Sequence, residues 1–299
     1  GPLVKQKASF MVSGRRSYFD LFLPYTGNLE LQNTKIYFYD LNAKVNATLS
    51  DKDRVFASMY FGRDQFGAQD LFDFGWGNWT STLRWNRVVN SKLFFNATAV
   101  YSDYTYSLGT PEDAVPSFKL DSRIQNTVTN LGWTYYANSR HKLDWGVQNT
   151  YYVFSPGQIT GAFDIELRQE FATEPAIFVS DDIKVTENLS ITAGLRYSGF
   201  ANLGKRRVFY YADPLYPSPT TITDTAFYAS GEIVKSFVNL GGLEPRFALN
   251  YELGPKSSLK ASYNRSRQYI HLISNNTTAT PVNVWRPAGP YIDPATADQ

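Results

Sequence analysis

Glu166, Glu170 and Glu174 recur at every fourth position, so an extended backbone projects all three from one face. Facing carboxylates are the machinery of glycoside cleavage, one as acid and one as nucleophile or base. Asp64, Asp70 and Asp73, within "RDQFGAQDLFDFGWGNW", offer the hard oxygen ligands that calcium takes. The two histidines, His141 in a short polar turn and His271 beside a strand end, have no Ser, Cys or Asp partner at an interpretable spacing. "GWGNW" lacks the lysine and helix of a phosphate loop. Asn-x-Ser/Thr occurs at Asn46, Asn78, Asn96, Asn188, Asn264, Asn275 and Asn276, the pattern of a glycosylation acceptor. Each has a plainer reading: a wet strand face for the glutamates, solvated loop charge for the aspartates, and paired polar residues at i and i+2 for the sequons.

Those readings depend on the elements that carry the residues. "YFYDLNAKVNATLS" alternates strictly over fourteen positions, Tyr37 to Ser50. Tyr37, Tyr39, Leu41, Ala43, Val45, Ala47 and Leu49 fall on one side, and Asp40, Asn42, Lys44, Asn46, Thr48 and Ser50 on the other. A period of two predicts a strand with one apolar and one wet face. It is longer than the roughly 5–6 residues common in soluble domains. The same test predicts strands over 93–101, 143–153, 189–197, 247–253 and 259–263; Asn149 departs from the pattern in the second. In 121–136, Asn126 and Asn130 share the phase of Ile124 and Val128, so a bulge is expected to shift parity there.

Connections sort into two kinds. "SDKD", "NSK", "NSRH", "TEN" and "GPKSS" are short and polar, and they alternate with long ones near 17–35, 63–76, 107–118, 155–163 and 202–242, and with the tail from 271. Most of the 15 prolines lie in the long class; Pro175 does not, and predicts a bulge or a strand reaching above a membrane.

Composition excludes several classes. With 299 residues and a net charge of +2, the chain has no basic run beyond Lys205–Arg207, so no nucleic-acid partner is expected. The absence of cysteine removes disulfide and thiol chemistry. Aromatics reach 16% although mean hydropathy is negative at −0.34, and no apolar run approaches the roughly 18 residues of a spanning helix. "GPLVKQKASF" has no apolar signal-peptide segment.

An antiparallel meander with one apolar face fits a soluble barrel or sandwich, or a membrane barrel with its apolar face outward. Strand length, the sorting of connections and the placement of aromatics favour the membrane. Tyr37, Tyr39, Phe61, Tyr101, Tyr197 and Tyr263 gather toward the long connections, as an extracellular aromatic girdle does. The expected fold is all-β, a transmembrane antiparallel β-barrel with about eleven strands present. Leu41, Ala43, Val45, Ala47, Ile191, Ala193 and Leu195 are expected to face lipid. Asp40, Asn42, Lys44, Asn46, Arg196 and Lys260 are expected to face a lumen or plug, with Asp40 and Lys44 close enough to pair.

"GPLVKQKASFMVSGRRSYFD" resembles the junction of plug and first barrel strand in TonB-dependent outer-membrane transporters. "YFYDLNAKVNATLSDKDRVFASMYFGRD", "GNWTSTLRWNRV", "DDIKVTENLSITAGLRYSGF" and "LEPRFALNYELGPKSSLKASYNRSRQYIHLIS" resemble successive barrel stretches of that family, in the form common among Bacteroidota. The resemblance implies a plugged, 22-stranded barrel that imports an iron chelate, cobalamin, glycan or peptide with energy from TonB. On that footing residues 1–299 are expected to be a partial transmembrane β-barrel domain, half a barrel lacking plug, TonB box and aromatic-ended final strand. Within it, 202–242 is expected to be a long extracellular loop without regular structure, touching ligand, a surface lipoprotein or another outer-membrane subunit. The implied protein is no enzyme and needs no cofactor or metal. Two other classes stay open: a structural barrel subunit of an outer-membrane assembly or secretion complex, and a soluble all-β carbohydrate-binding protein or glycosidase.

Overall fold

The computed structural model describes residues 1–32, 34–68, 72–110, 118–161, 165–166, 168–213, 216–239, 242–273 and 284–299. Eleven long strands form one antiparallel meander: β1 (Ala8–Arg16), β2 (Lys35–Thr48), β3 (Asp53–Ala68), β4 (Phe72–Val88), β5 (Leu93–Gly109), β6 (Phe118–Tyr136), β7 (His141–Gly161), β8 (Glu170–Lys184), β9 (Leu189–Ser198), β10 (Leu243–Gly254) and β11 (Ser257–Gln268). Short strands Pro2–Val4 and Ala295–Asp298 pair onto β1 and β11 at the ends of the sheet. Between residues 36 and 106 the described residues contain no helix and no parallel pair.

The short turns explain themselves locally. Asn90 Oδ1 accepts the backbone N–H groups of Lys92 and Leu93, both at 2.9 Å, and Asn138 Oδ1 accepts those of Arg140 and His141 at 2.8 and 3.1 Å. Thr186 Oγ1 accepts from Asn188 and Leu189 at 3.3 and 3.0 Å. Asn and Thr side chains that cap their own turn reverse the chain in a few residues.

Register then carries parity across the whole sheet. Ala47, Val55, Trp85, Ala97, Leu131, Val147, Ile177, Tyr197 and Leu243 lie opposite one another in one row. The row enters near the short-turn end of β2 and leaves at the long-connection end of β9, so the strands are staggered as in a barrel wall. A neighbouring row reads Asn46, Phe56, Arg84, Thr98, Asn130, Gln148, Ala176 and Ser198. The sheet therefore has one apolar and one polar face. The apolar face is largely uncovered: Leu83, Ile177 and Leu259 are 55, 57 and 56% exposed.

Two local expectations change. The register of β6 against β7 shifts between Asp121 and Arg123 and is continuous from there to Tyr136, so no bulge separates Asn126 or Asn130 from Val128. Those asparagines lie on the polar face, and Thr127, Thr129, Leu131 and Trp133 lie on the apolar one. At Pro175 there is no bulge either. Thr173–Ala201 and Ala176–Ser198 keep one register; the proline lacks an N–H to give, and its carbonyl accepts from Gly199 at 2.9 Å. Glycine has a packing role at Gly146, where a Cβ would meet the Phe178 ring at 2.7 Å and the Leu131 carbonyl at 2.4 Å.

The described residues of 202–242 carry regular structure, contrary to the expected irregular loop. Ala201–Leu203 pairs with Ile233–Ser236, and Arg206–Tyr211 forms a hairpin with Ile222–Tyr228. Ser218 caps a 3₁₀ turn over Pro219–Thr221, accepting from Thr220. A further hairpin joins Ile270–Ile273 to Val284–Pro287.

Candidate functional site

The polar face of β7, β8 and β9 is covered by two segments that follow long strands. After β9 the chain runs through Gly199 and Phe200; after β11 it runs through Tyr269 and Ile270. The Phe200 and Tyr269 rings stack at 5.0 Å with planes 7° apart. Phe237, Ala172 and Ala288 complete a buried cluster, with Tyr152 and Ile270 against it. Backbone bonds close it: Phe237 N–H donates to Phe200 O at 2.8 Å, and Ala288 N–H to Tyr269 O at 2.7 Å. This small core sits on the polar face, where parity alone would place water.

Polar groups ring the cluster. The Tyr269 hydroxyl lies 2.8 Å from Ser198 Oγ and 3.2 Å from its carbonyl, and Ser198 Oγ also donates to Glu244. Burial pushes the Tyr269 hydroxyl pKa above its ordinary value. Arg196 reaches Gln148 at 3.4 Å and Glu244 at 3.9 Å, and Tyr152 donates to Glu174 at 3.0 Å. Glu170 receives Arg206 at 3.0 Å and also Arg286, while Arg206 holds Asn202 at 3.0 Å. Glu170, Glu244, Ser198 and Asn202 are all buried. Ser198 and Glu170 are thus tied to segments that the long connections deliver, while Glu244 is held by Ser198 and Arg196 of β9.

The sequence-predicted residues fall as follows. Asp40, Asn42, Lys44, Asn46, Arg196 and Lys260 share the polar face; Leu41, Ala43, Val45, Ala47, Ile191, Ala193 and Leu195 share the apolar one. Asp40 pairs with Arg15 across the strand rather than with Lys44, and Asn46 donates to Ser9 Oγ at 2.8 Å. Tyr37, Tyr39, Phe61, Tyr101, Tyr197 and Tyr263 are on the apolar face. Tyr39 touches Tyr37 and Phe61 at 6.4 and 6.0 Å, and Tyr101 meets Trp79 at 5.7 Å.

A second aromatic band escaped the sequence reading. Trp85, Phe95, Trp133 and Trp145 touch in series at 5.6, 5.0 and 6.4 Å, on the apolar face near the short turns. Trp79 and Trp85, Tyr101 and Phe95, and Tyr151 and Trp145 are each six positions apart, about 20 Å along a strand. The same parity count applied toward the short turns would have found it.

The other chemistry-bearing residues separate. Glu170 and Glu174 are each committed to different partners, and the Glu166 side chain lies outside the described residues, as do Asp70, Asn275 and Asn276. Asp73 pairs with Lys35 at 3.3 Å, and no group of three metal-ligating side chains gathers among the described residues. His141 lies 2.7 Å from Asp181, near the short turns. His271 sits opposite Arg286.

No curated protein sequence matches the chain. Among solved structures, the copper transporter OprC superimposes with a TM-score of 0.63 at 11% identity, over 88% of this chain and 43% of its own. A double mutant of the Serratia marcescens hemophore receptor HasR, with its hemophore HasA and heme, gives 0.57 at 13% identity over 88% and 42%. The apoprotein form of the FrpB iron transporter from Neisseria meningitidis gives 0.59 at 13% over 88% and 42%. This chain therefore spans less than half the length of these proteins, and identities this low show a shared fold. Residues 12–299 match the family described as "TonB dependent receptor-like, beta-barrel", whose members are outer-membrane proteins. The chain belongs to the TonB-dependent receptor-like β-barrel family.

Proposed function

We propose that this chain forms a stretch of barrel wall in an outer-membrane transporter that imports a scarce nutrient with energy from TonB. Its apolar face meets lipid, its polar face lines the lumen, and its long connections lie outside the cell. The observation that carries this reading is the apolar row running unbroken from Ala47 to Leu243, on a largely uncovered face that carries two aromatic bands. An apolar face of this extent is stable against hydrocarbon and costly in water. In lipid an open sheet edge is prohibitive, so the wall closes in the assembled barrel.

The segments packed on the polar face around Tyr269 narrow the lumen at the outer end. They are the part of this chain placed to meet a solute. Neighbours in fold are named a copper transporter, an iron transporter and a hemophore receptor bound to heme, so a metal-bearing nutrient is one candidate class among those of the family. The 202–242 loop offers the outermost surface for ligand, a surface lipoprotein or another subunit.

The test is energised uptake. Cells carrying the full-length protein should accumulate the nutrient only when TonB is present. Deleting 202–242 while retaining the barrel should reduce uptake or partner co-purification. Unchanged uptake without TonB would overturn the energised reading.

A further inference from the structure

We infer that the outer mouth of the polar face binds an anionic ligand bearing a planar ring, in a cavity between the Arg206–Tyr211 strand and the segment 286–292. This rests on reading the polar face as the solute path. The cavity measures about 350 Å³, and Glu170, Arg206, Arg207, Arg286, Tyr211 and Tyr291 are among its walls.

Charge sets the sign of the ligand. Glu170 is buried and takes Arg206 and Arg286 together, so one carboxylate is shared by two guanidiniums. Arg207 adds a third cation, is exposed, and has no ion pair among the described residues. Three guanidiniums against one carboxylate leave a net positive cavity. A planar guanidinium fork accepts a carboxylate or similar oxyanion through paired N–H donors.

Rigidity sets the shape. The Tyr291 hydroxyl accepts the Phe209 N–H at 2.8 Å and donates to the Phe209 carbonyl at 2.9 Å, which clamps the 286–292 segment to the strand. Tyr211 and Tyr291 lie 6.2 Å apart with planes at 59°. Two adjoining aromatic walls, one held by that clamp, beside unspent positive charge favour a flat ring that carries an anionic group.

An alternative use of the same residues is purely mechanical: Glu170 latches two segments to the wall and nothing binds. Arg207 separates the two, because it takes no part in the latch. Calorimetry on the full-length protein in detergent micelles, with naphthalene-2-carboxylate and naphthalene-2-carboxamide as probes, decides it. The carboxylate should bind at least about tenfold more tightly than the amide, and Arg207→Ala should weaken it about tenfold, with Arg207→Lys in between. Equal affinity for the two probes, no binding of either, or an unchanged Arg207→Ala variant would overturn the inference. TonB-dependent uptake measured on the same protein keeps the two readings apart. Uptake without carboxylate preference removes the inference alone, and carboxylate preference without uptake removes the transport reading alone.

Discussion

The Tyr269 hydroxyl and Ser198 Oγ stand 2.8 Å apart although 71 positions separate them, and this contact docks the segment after β11 onto the wall after β9. Removing the hydroxyl leaves Ser198 and its carbonyl short of a partner in a buried place. Tyr269→Phe should cost roughly 1–3 kcal/mol of local docking stability while leaving the strands intact. Amide exchange should quicken in 269–273 and around Phe200, with β2 to β6 unchanged.

Burial raises the Tyr269 pKa, so the docked state holds the proton more tightly than a free tyrosine does. The docking stability is therefore fully present below the ordinary tyrosine value of about 10 and is lost as pH rises toward the raised one. Protection of the 269–273 amides, taken relative to their intrinsic base-catalysed exchange, should fall as pH rises above about 10. In Tyr269→Phe this added alkaline loss of protection should vanish, and its persistence would mean that another group governs docking.

Glu170 holds both Arg206 and Arg286, from segments 36 and 116 positions away. Glu170→Ala leaves two guanidiniums without their carboxylate. Both keep some contact with water, so the loss should fall toward the lower end of the roughly 3–5 kcal/mol seen when a buried pair is broken. Limited proteolysis from outside should then cut within 204–232 or near 286 sooner than in the parent. An unchanged cleavage pattern would show that Glu170 is no latch.

How much of this was readable from the chain depends on distance along it. The meander was legible because Tyr37–Ser50 carries its own period and because Asn90, Asn138 and Thr186 each build a turn within three residues. The band of Trp85, Phe95, Trp133 and Trp145 lay within reach of the same count, but its continuity emerges only once register sets the four residues side by side. Asn126 and Asn130 suggested a bulge because polar-face valine was read as apolar-face valine. The Glu170 and Tyr269 contacts were not legible, since no local pattern links residues brought together by the folding of two connections. Asp40 shows the same limit on a smaller scale: Lys44 was visible on its own strand, while Arg15 came from the neighbour.

The aromatic band near the short turns offers an independent check on depth. Trp133→Ala removes the ring that touches both Phe95 and Trp145. Interfacial aromatics anchor a barrel at the membrane surface, so the variant should fold into bilayers more slowly and unfold at lower denaturant. Trp133→Tyr should recover most of the loss, because it keeps a ring with a polar edge.

Which face meets lipid is tested most directly by two neighbours of opposite parity, Val45 and Asn46, that differ in face and hardly in depth. An arginine at mid-depth against hydrocarbon costs on the order of 2–4 kcal/mol, whereas a watered lumen tolerates it. The measurement is the yield of folded, heat-modifiable full-length protein in lipid vesicles for Val45→Arg and Asn46→Arg. Val45→Arg should fold poorly and Asn46→Arg nearly as well as the parent. Equal yields, or a worse result for Asn46→Arg, would contradict the assignment of the apolar face to lipid.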